Sequence, residues 1–144
     1  MFGTLARLLM APALALVLGA GMAAADKRVA LVLGNSAYEK VEPLANTLND
    51  AADVGAALER LGFEVTRVSN GGFDGMRRAL RDFSRKTVGA DVSIVFYAGH
   101  GIEMGGENYL IPVDAELARD TDIEHEAIPL RSVTATVESA RLLG

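Results

Sequence analysis

The chain of 144 residues has no cysteine and no tryptophan, four prolines and two histidines, and aromatic residues make up 6% of it. Each scarcity excludes something. Without cysteine there is no disulfide framework, no thiolate metal site and no thiol nucleophile within these residues. Positive charge is in the minority, with 14 Lys and Arg against 19 Asp and Glu for a formal net charge of −5, which removes the electrostatic case for a nucleic-acid partner. Half of the residues are hydrophobic and 23% are charged, so neither a disordered polyampholyte nor a fibrous repeat is tenable. What remains is enough chain for one compact domain.

Residues 1–25 are set apart by their pattern. Arg7 is their one charge, the apolar run 8–18 follows, and small residues lead to Ala23-Ala24-Ala25. This is the layout of a secretory signal peptide, with Ala23 and Ala25 at the positions where cleavage wants small side chains. The competing reading is a membrane anchor, but the uncharged stretch is barely long enough for a span and Pro12 interrupts it. An exported, acidic domain over 26–144 is expected, periplasmic or extracellular, with no lasting membrane span.

From residue 28 onward, strand and helix periods alternate. Residues 28–33 form a branched apolar run stopped by Gly34, the pattern of a strand buried on both faces. Asn46 or Asn49 is positioned to cap a helix with apolar positions Ala52, Ala56, Leu58 and Leu61, ended by Gly62. A short strand over 63–68 leads to the turn Asn70-Gly71-Gly72. Asp74 is then placed to cap a second helix carrying Met76, Ala79, Leu80 and Phe83 on one face, and a third buried strand follows over 91–97. This order predicts a doubly wound, mostly parallel α/β sheet with helices on both faces. Gly105-Gly106-Glu107-Asn108 predicts a hairpin turn, the stretch after Asp114 an irregular segment, residues 129–141 a third helix, and Leu142-Leu143-Gly144 the start of a further strand.

In such a sheet, reactive groups gather beyond the carboxyl ends of the strands. Three segments qualify: Gly34-Asn35-Ser36, Ser69-Asn70-Gly71 and Ala98-Gly99-His100-Gly101. In the last, an imidazole follows a buried strand directly and stands between two glycines, where a general base can work and the Gly101 N–H can meet an oxyanion. His125, between Glu124 and Glu126, reads as a solvated surface residue, since no second His or Cys stands at ligand spacing. A nucleotide-binding module would need a glycine-rich phosphate loop, and a serine hydrolase a glycine-flanked Ser elbow. Neither pattern is present.

The segments 28–38, 48–53 and 61–65, and above all Phe96-Tyr-Ala-Gly-His-Gly101 followed by Asn108-Tyr-Leu-Ile-Pro-Val-Asp114, resemble the bacterial caspase-like family. These are clan CD cysteine peptidases related to metacaspases and eukaryotic caspases, and the likeness runs from residue 28 to about residue 141. The resemblance implies that His100 is the base of a Cys-His dyad and that the Gly101 amide is an oxyanion donor. It also implies that Asp50 lines the pocket for the side chain before the cut, giving cleavage of peptides or proteins after Arg or Lys. A buried carboxylate at a helix start would select such a cation; the alternative is that Asp50 serves the helix dipole alone. Ala98 stands where some relatives have Ser and removes one pocket hydrogen bond.

The family's nucleophile would lie at the end of the next strand, which these residues do not include. As given, the domain over 26–144 is expected to be incomplete and inactive as a peptidase. It is then a fragment, a frameshifted product, or a catalytically silent binding domain of the cell envelope. The edge of the third strand should be open to a partner and prone to aggregate. No cofactor is expected; calcium is the one candidate left, without support, since Glu107, Asp114, Asp120 and Asp122 do not reproduce the metacaspase calcium pattern.

Overall fold

The computed structural model describes residues 26–144, so the leader expected over 1–25 lies outside the described residues. Strand β1 (Arg28–Gly34) lies between β2 (Glu64–Ser69) and β3 (Val92–Ala98), all three parallel. With ladders on both edges and helices on both faces, β1 has no polar side to show. Val29 to Leu33 are each at most 1% exposed.

The period-two alternation of β1 divides the core. Ala30 and Val32 face helix α1 (Thr47–Arg60), while Val29, Leu31 and Leu33 pack against Met76, Leu80 and Phe83 of α2 (Phe73–Thr87). Burying each of these large side chains is worth about 1.5–3 kcal/mol. The three-layer α/β arrangement expected from the sequence is therefore the one found.

Two local expectations are corrected. The buried stripe of α1 is Ala51, Gly55 and Leu58, whereas Ala52 is exposed and Leu61 is 61% exposed. Gly55 sits there because β2 crosses close by: a Cβ at this position would meet Arg67 Nε at 2.7 Å. Leu61 is exposed because the helix ends at Arg60 and Gly62, at φ +82°, turns the chain away. The cap of α2 is the second correction. Asp74 lies in the first turn, and the Phe73 N–H is instead taken by the Asp114 carboxylate at 2.8 Å, from 41 residues away.

The hairpin forms as expected from β4 (Gly101–Met104) and β5 (Glu107–Leu110). Its two-residue turn places Gly105 at φ +61° and Gly106 at φ +85°, the pair of left-handed residues that a type I′ turn demands. The stretch expected to be irregular holds a 3-10 turn (Asp120–Asp122), a one-turn helix α3 (Ile123–Glu126) and a short strand β6 (Ile128–Pro129) paired antiparallel with β5. The third helix is α4 (Leu130–Val137), shorter than expected and packed on α2 and β3. Leu143 begins a parallel bridge with Val92, its carbonyl accepting the Ser93 N–H at 2.9 Å. Beyond that point the outer edge of β3 has no ladder partner among the described residues. No helix among the described residues is long and apolar enough to cross a membrane.

Replacing Asp114 with Ala removes the cap that ties the return of the hairpin to α2. The free energy of unfolding should fall by about 1 kcal/mol in urea titrations; an unchanged midpoint would mean that water serves the Phe73 N–H equally well.

Candidate functional site at the strand carboxyl ends

The loops after β1, β2 and β3 are drawn together by one buried side chain. Asn35 has no solvent exposure. Its Oδ1 accepts the Gly71 N–H at 2.8 Å, and its Nδ2 donates to the carbonyls of Ile111 at 3.1 Å and Gly71 at 3.3 Å. Its backbone N–H donates to Ala98 at 2.8 Å, and its carbonyl accepts from Thr47 Oγ1 at 2.8 Å. A second amide works the other way: Asn70, held at φ +51°, turns its Oδ1 to the N–H groups of Ser36 and Ala37 at 2.9 and 3.0 Å. The chain 36–44 closes on itself through Ser36 Oγ, which donates to the Leu44 carbonyl at 2.6 Å.

His100 stands on this platform. Its backbone N–H donates to the Tyr38 hydroxyl at 2.7 Å. The Tyr97 hydroxyl, 3.2 Å from that of Tyr38, donates to the carbonyls of His100 at 2.7 Å and Ile111 at 3.0 Å. The Tyr97 proton is therefore committed to carbonyls, and the proton between the two phenols is that of Tyr38. Burial pushes the Tyr97 phenol well above the usual tyrosine range. Gly99 must be glycine because a methyl group there would collide with both phenol oxygens.

The imidazole itself is part-buried and leans on the Tyr38 ring, with centroids 4.5 Å apart at 54°. Its Nε2 lies 3.2 Å from the Glu42 carbonyl. A carbonyl only accepts, so in the neutral ring Nε2 carries the hydrogen and Nδ1 keeps the basic lone pair. A ring held this way has Nδ1 as the nitrogen able to accept a proton.

Gly101 follows in β4 and is exposed. Ile111 N–H bonds to the His100 carbonyl at 3.0 Å, which makes that pair the hydrogen-bonded one. Antiparallel alternation then makes the next pair, Gly101 and Leu110, non-hydrogen-bonded, so the Gly101 N–H points away from β5. A hollow of about 290 Å³ opens beside it, bounded by Tyr97, Gly99, Gly101, Ile102 and Tyr109. Ala98 closes β3 and gives its carbonyl to Asn35. Asp50 lies in the first turn of α1, at the same end of the sheet, but it is exposed where the sequence argument wanted a buried carboxylate.

The remaining candidates are elsewhere. His125 is exposed on α3, as expected. Three of the four acids weighed for calcium already hold donors of their own chain. Glu107 takes Arg131 Nη1 at 2.7 Å, Asp122 takes Arg119 at 2.8 Å, and Asp114 caps α2. These guanidinium bonds hold Glu107 and Asp122 below the usual carboxylate range. Among the described residues no cluster of three or more His, Cys, Asp or Glu could hold a metal ion.

Comparison with known proteins identifies the family. The family model for the caspase domain of the C14 peptidases matches residues 27–138, most of the chain. The chain belongs to the caspase-domain family. Among curated relatives, the human mucosa-associated lymphoid tissue lymphoma translocation protein 1 is 32% identical over 91 residues, 63% of this chain and 11% of that protein. The mouse homolog is 30% identical over 95 residues, 66% of this chain and again 11% of its own length. The chain thus corresponds to about a tenth of the length of these relatives.

Within this caspase domain, the residues that sequence reasoning left without a role are Tyr38, Tyr97 and Glu42. The two tyrosines stood in the quoted motifs, but only the fold brings them under one histidine. Glu42 acts through its carbonyl, which no side-chain pattern can reveal.

Two measurements test the arrangement. Long-range proton–nitrogen correlation of His100 in its neutral form should give Nε2–H with an unprotonated Nδ1; the opposite tautomer would remove the Glu42 bond from the account. Tyr97 tests the phenol chain. Its contribution to stability is held in full below the ordinary tyrosine pKa of about 10 and drains as the pH climbs through that value, because the unfolded chain then sheds a proton that the folded chain keeps. Between about pH 9 and about pH 11 the unfolding free energy of the native chain should fall more steeply than that of Tyr97→Phe. Equal slopes would show that the phenol is not held protonated by the fold.

Proposed function

We propose that the chain carries the base and oxyanion half of a caspase-type cysteine endopeptidase site. The observation that carries this reading is the imidazole of His100, with Nε2 committed to the Glu42 carbonyl and Nδ1 left basic at the carboxyl end of β3. Nδ1 takes the proton of a thiol, and the thiolate attacks the peptide carbonyl. The Gly101 N–H meets the oxyanion, and the imidazolium returns the proton to the leaving amine before water hydrolyses the acyl-enzyme. These 144 residues hold no cysteine, so the thiol must come from polypeptide outside them. A strand laid parallel to β3 in the register that Leu143 begins would carry its carboxyl end past Ala98 toward Gly101, which is where such a thiol is needed.

In this proposal Asp50 selects Arg or Lys before the cut, with the modest strength of an exposed carboxylate. Residues 1–25 direct the protein to export. The absence of cysteine supports a second reading, a catalytically silent caspase domain that holds peptides or partners near His100.

One experiment separates the two. The product of the whole gene, with whatever follows Gly144, is assayed on fluorogenic peptides ending in Arg, Lys, Ala or Asp. The peptidase reading expects turnover after Arg and Lys, a loss of about 10²–10⁴-fold in His100→Ala, and a loss of about tenfold in Asp50→Asn confined to the cationic peptides. Turnover undiminished by His100→Ala removes His100 from the mechanism, and absence of turnover on every peptide leaves the binding domain.

A further inference from the structure

Away from His100, a cleft of about 500 Å³ lies between α2 and the segment that runs from α3 through β6 into α4. Its lining is unlike the rest of this acidic protein. Arg77 and Arg81, one helical turn apart on α2, form one wall, and His125 stands on the other. Phe73 and Pro129, both part-buried, contribute apolar surface to it, above the buried Ala127 and Ile128. Arg77 is oriented by its neighbour, with the guanidinium carbon 5.3 Å from the centroid of the Phe73 ring. Neither arginine has a carboxylate within ion-pair distance among the described residues, although eight other cation–carboxylate pairs form there. Glu124, exposed, is the one acid lining the cleft.

We propose that this cleft is a docking site for an acidic peptide segment of a partner protein, with an Asp or Glu carboxylate held by Arg77 and Arg81 and an adjoining apolar side chain laid on Phe73 and Pro129. Two planar guanidinium groups at one spacing favour a carboxylate over a neutral amide, because each can bond it through two N–H groups. The apolar surface gives a peptide something that a free anion cannot use. On a chain of net charge −5, a positive cleft is also where an acidic segment meets least repulsion. None of these residues belongs to the His100 site.

The test uses the full chain, labelled with ¹⁵N, and two pools of short peptides with random flanks, one with Asp or Glu at the central position and the other with Asn or Gln. The acidic pool should shift the backbone amides of Phe73, Arg77, Ala127 and Ile128, with an apparent Kd at least about tenfold below that of the amide pool. The double substitution Arg77→Gln and Arg81→Gln, at two exposed positions, should erase that difference while leaving the spectrum folded. Equal binding of both pools overturns the proposal, as does absence of shifts up to about 1 mM peptide. Acetate and inorganic phosphate are run beside the peptides. Should either ion bind as tightly as the acidic pool, the cleft is a free-anion site and the peptide proposal fails. The readout is binding without turnover, so its failure is separate from failure of the peptidase reading.

Discussion

The buried amide of Asn35 is the constraint on which the rest of the site depends. Three loops leave the sheet at its carboxyl end, and each would be free to move if held only by its own turn. Asn35 binds the loop after β2 through Gly71, the return of the hairpin through Ile111, and the end of β3 through Ala98. Every polar atom of its side chain is used, and no buried side-chain nitrogen or oxygen among the described residues lacks a partner. Removing the amide would orphan several buried groups at once, each costing about 1–3 kcal/mol. A platform held by so many bonds in so little space has one arrangement, and it fixes where the His100 backbone stands.

From that platform the order passes to His100 by a chain of hydroxyls. Tyr97 rises from β3 on the α2 face and bonds two carbonyls, one of them that of His100; Tyr38 closes the circuit by taking the His100 N–H. Backbone and ring are thus fixed by different means: the backbone by the phenols, the ring by the Tyr38 face and the Glu42 carbonyl. The loop carrying Glu42 is the least buried part of the arrangement, with Val41 54% exposed. Ring orientation is therefore the property that an incoming chain could alter with least effort, while the His100 backbone stays put.

The sequence made the large elements legible because they follow periods. The branched run of β1 and the stripe on α2 each have one physical solution, and Gly105-Gly106 allows one tight turn. What escaped has no period. The α1 face was misplaced because its closest approach to the sheet uses Gly55, a residue that carries no hydrophobic signal. The α2 cap was missed because Asp74 is local and Asp114 is not, and only the folded hairpin return brings the latter to Phe73. His100 and Gly101 could be singled out because a strand end between glycines is a general location for chemistry. The partners that orient His100 could not, since two of them meet it across 62 and 58 residues. Asp50 stands at a helix start but is exposed and not buried, because position in a helix's first turn says nothing about what covers it.

Residues 111–114 touch both the His100 site and the α2 cleft, which raises the question of whether one can sense the other. Ile111 bonds the His100 carbonyl through its N–H, and Asp114 bonds the N–H of Phe73, the residue on which Arg77 rests. Coupling through such a strip requires that it have two arrangements of similar energy. Its middle argues against a second one. Pro112 has a fixed φ and is fully buried, and Val113 is buried with its N–H given to Gly71 and its carbonyl to Glu39. Shifting the strip would break those bonds and unseat Ile111 from Asn35. A peptide held by Arg77 and Arg81 should therefore leave the imidazole undisturbed, because the strip that connects them is built to transmit position and not motion.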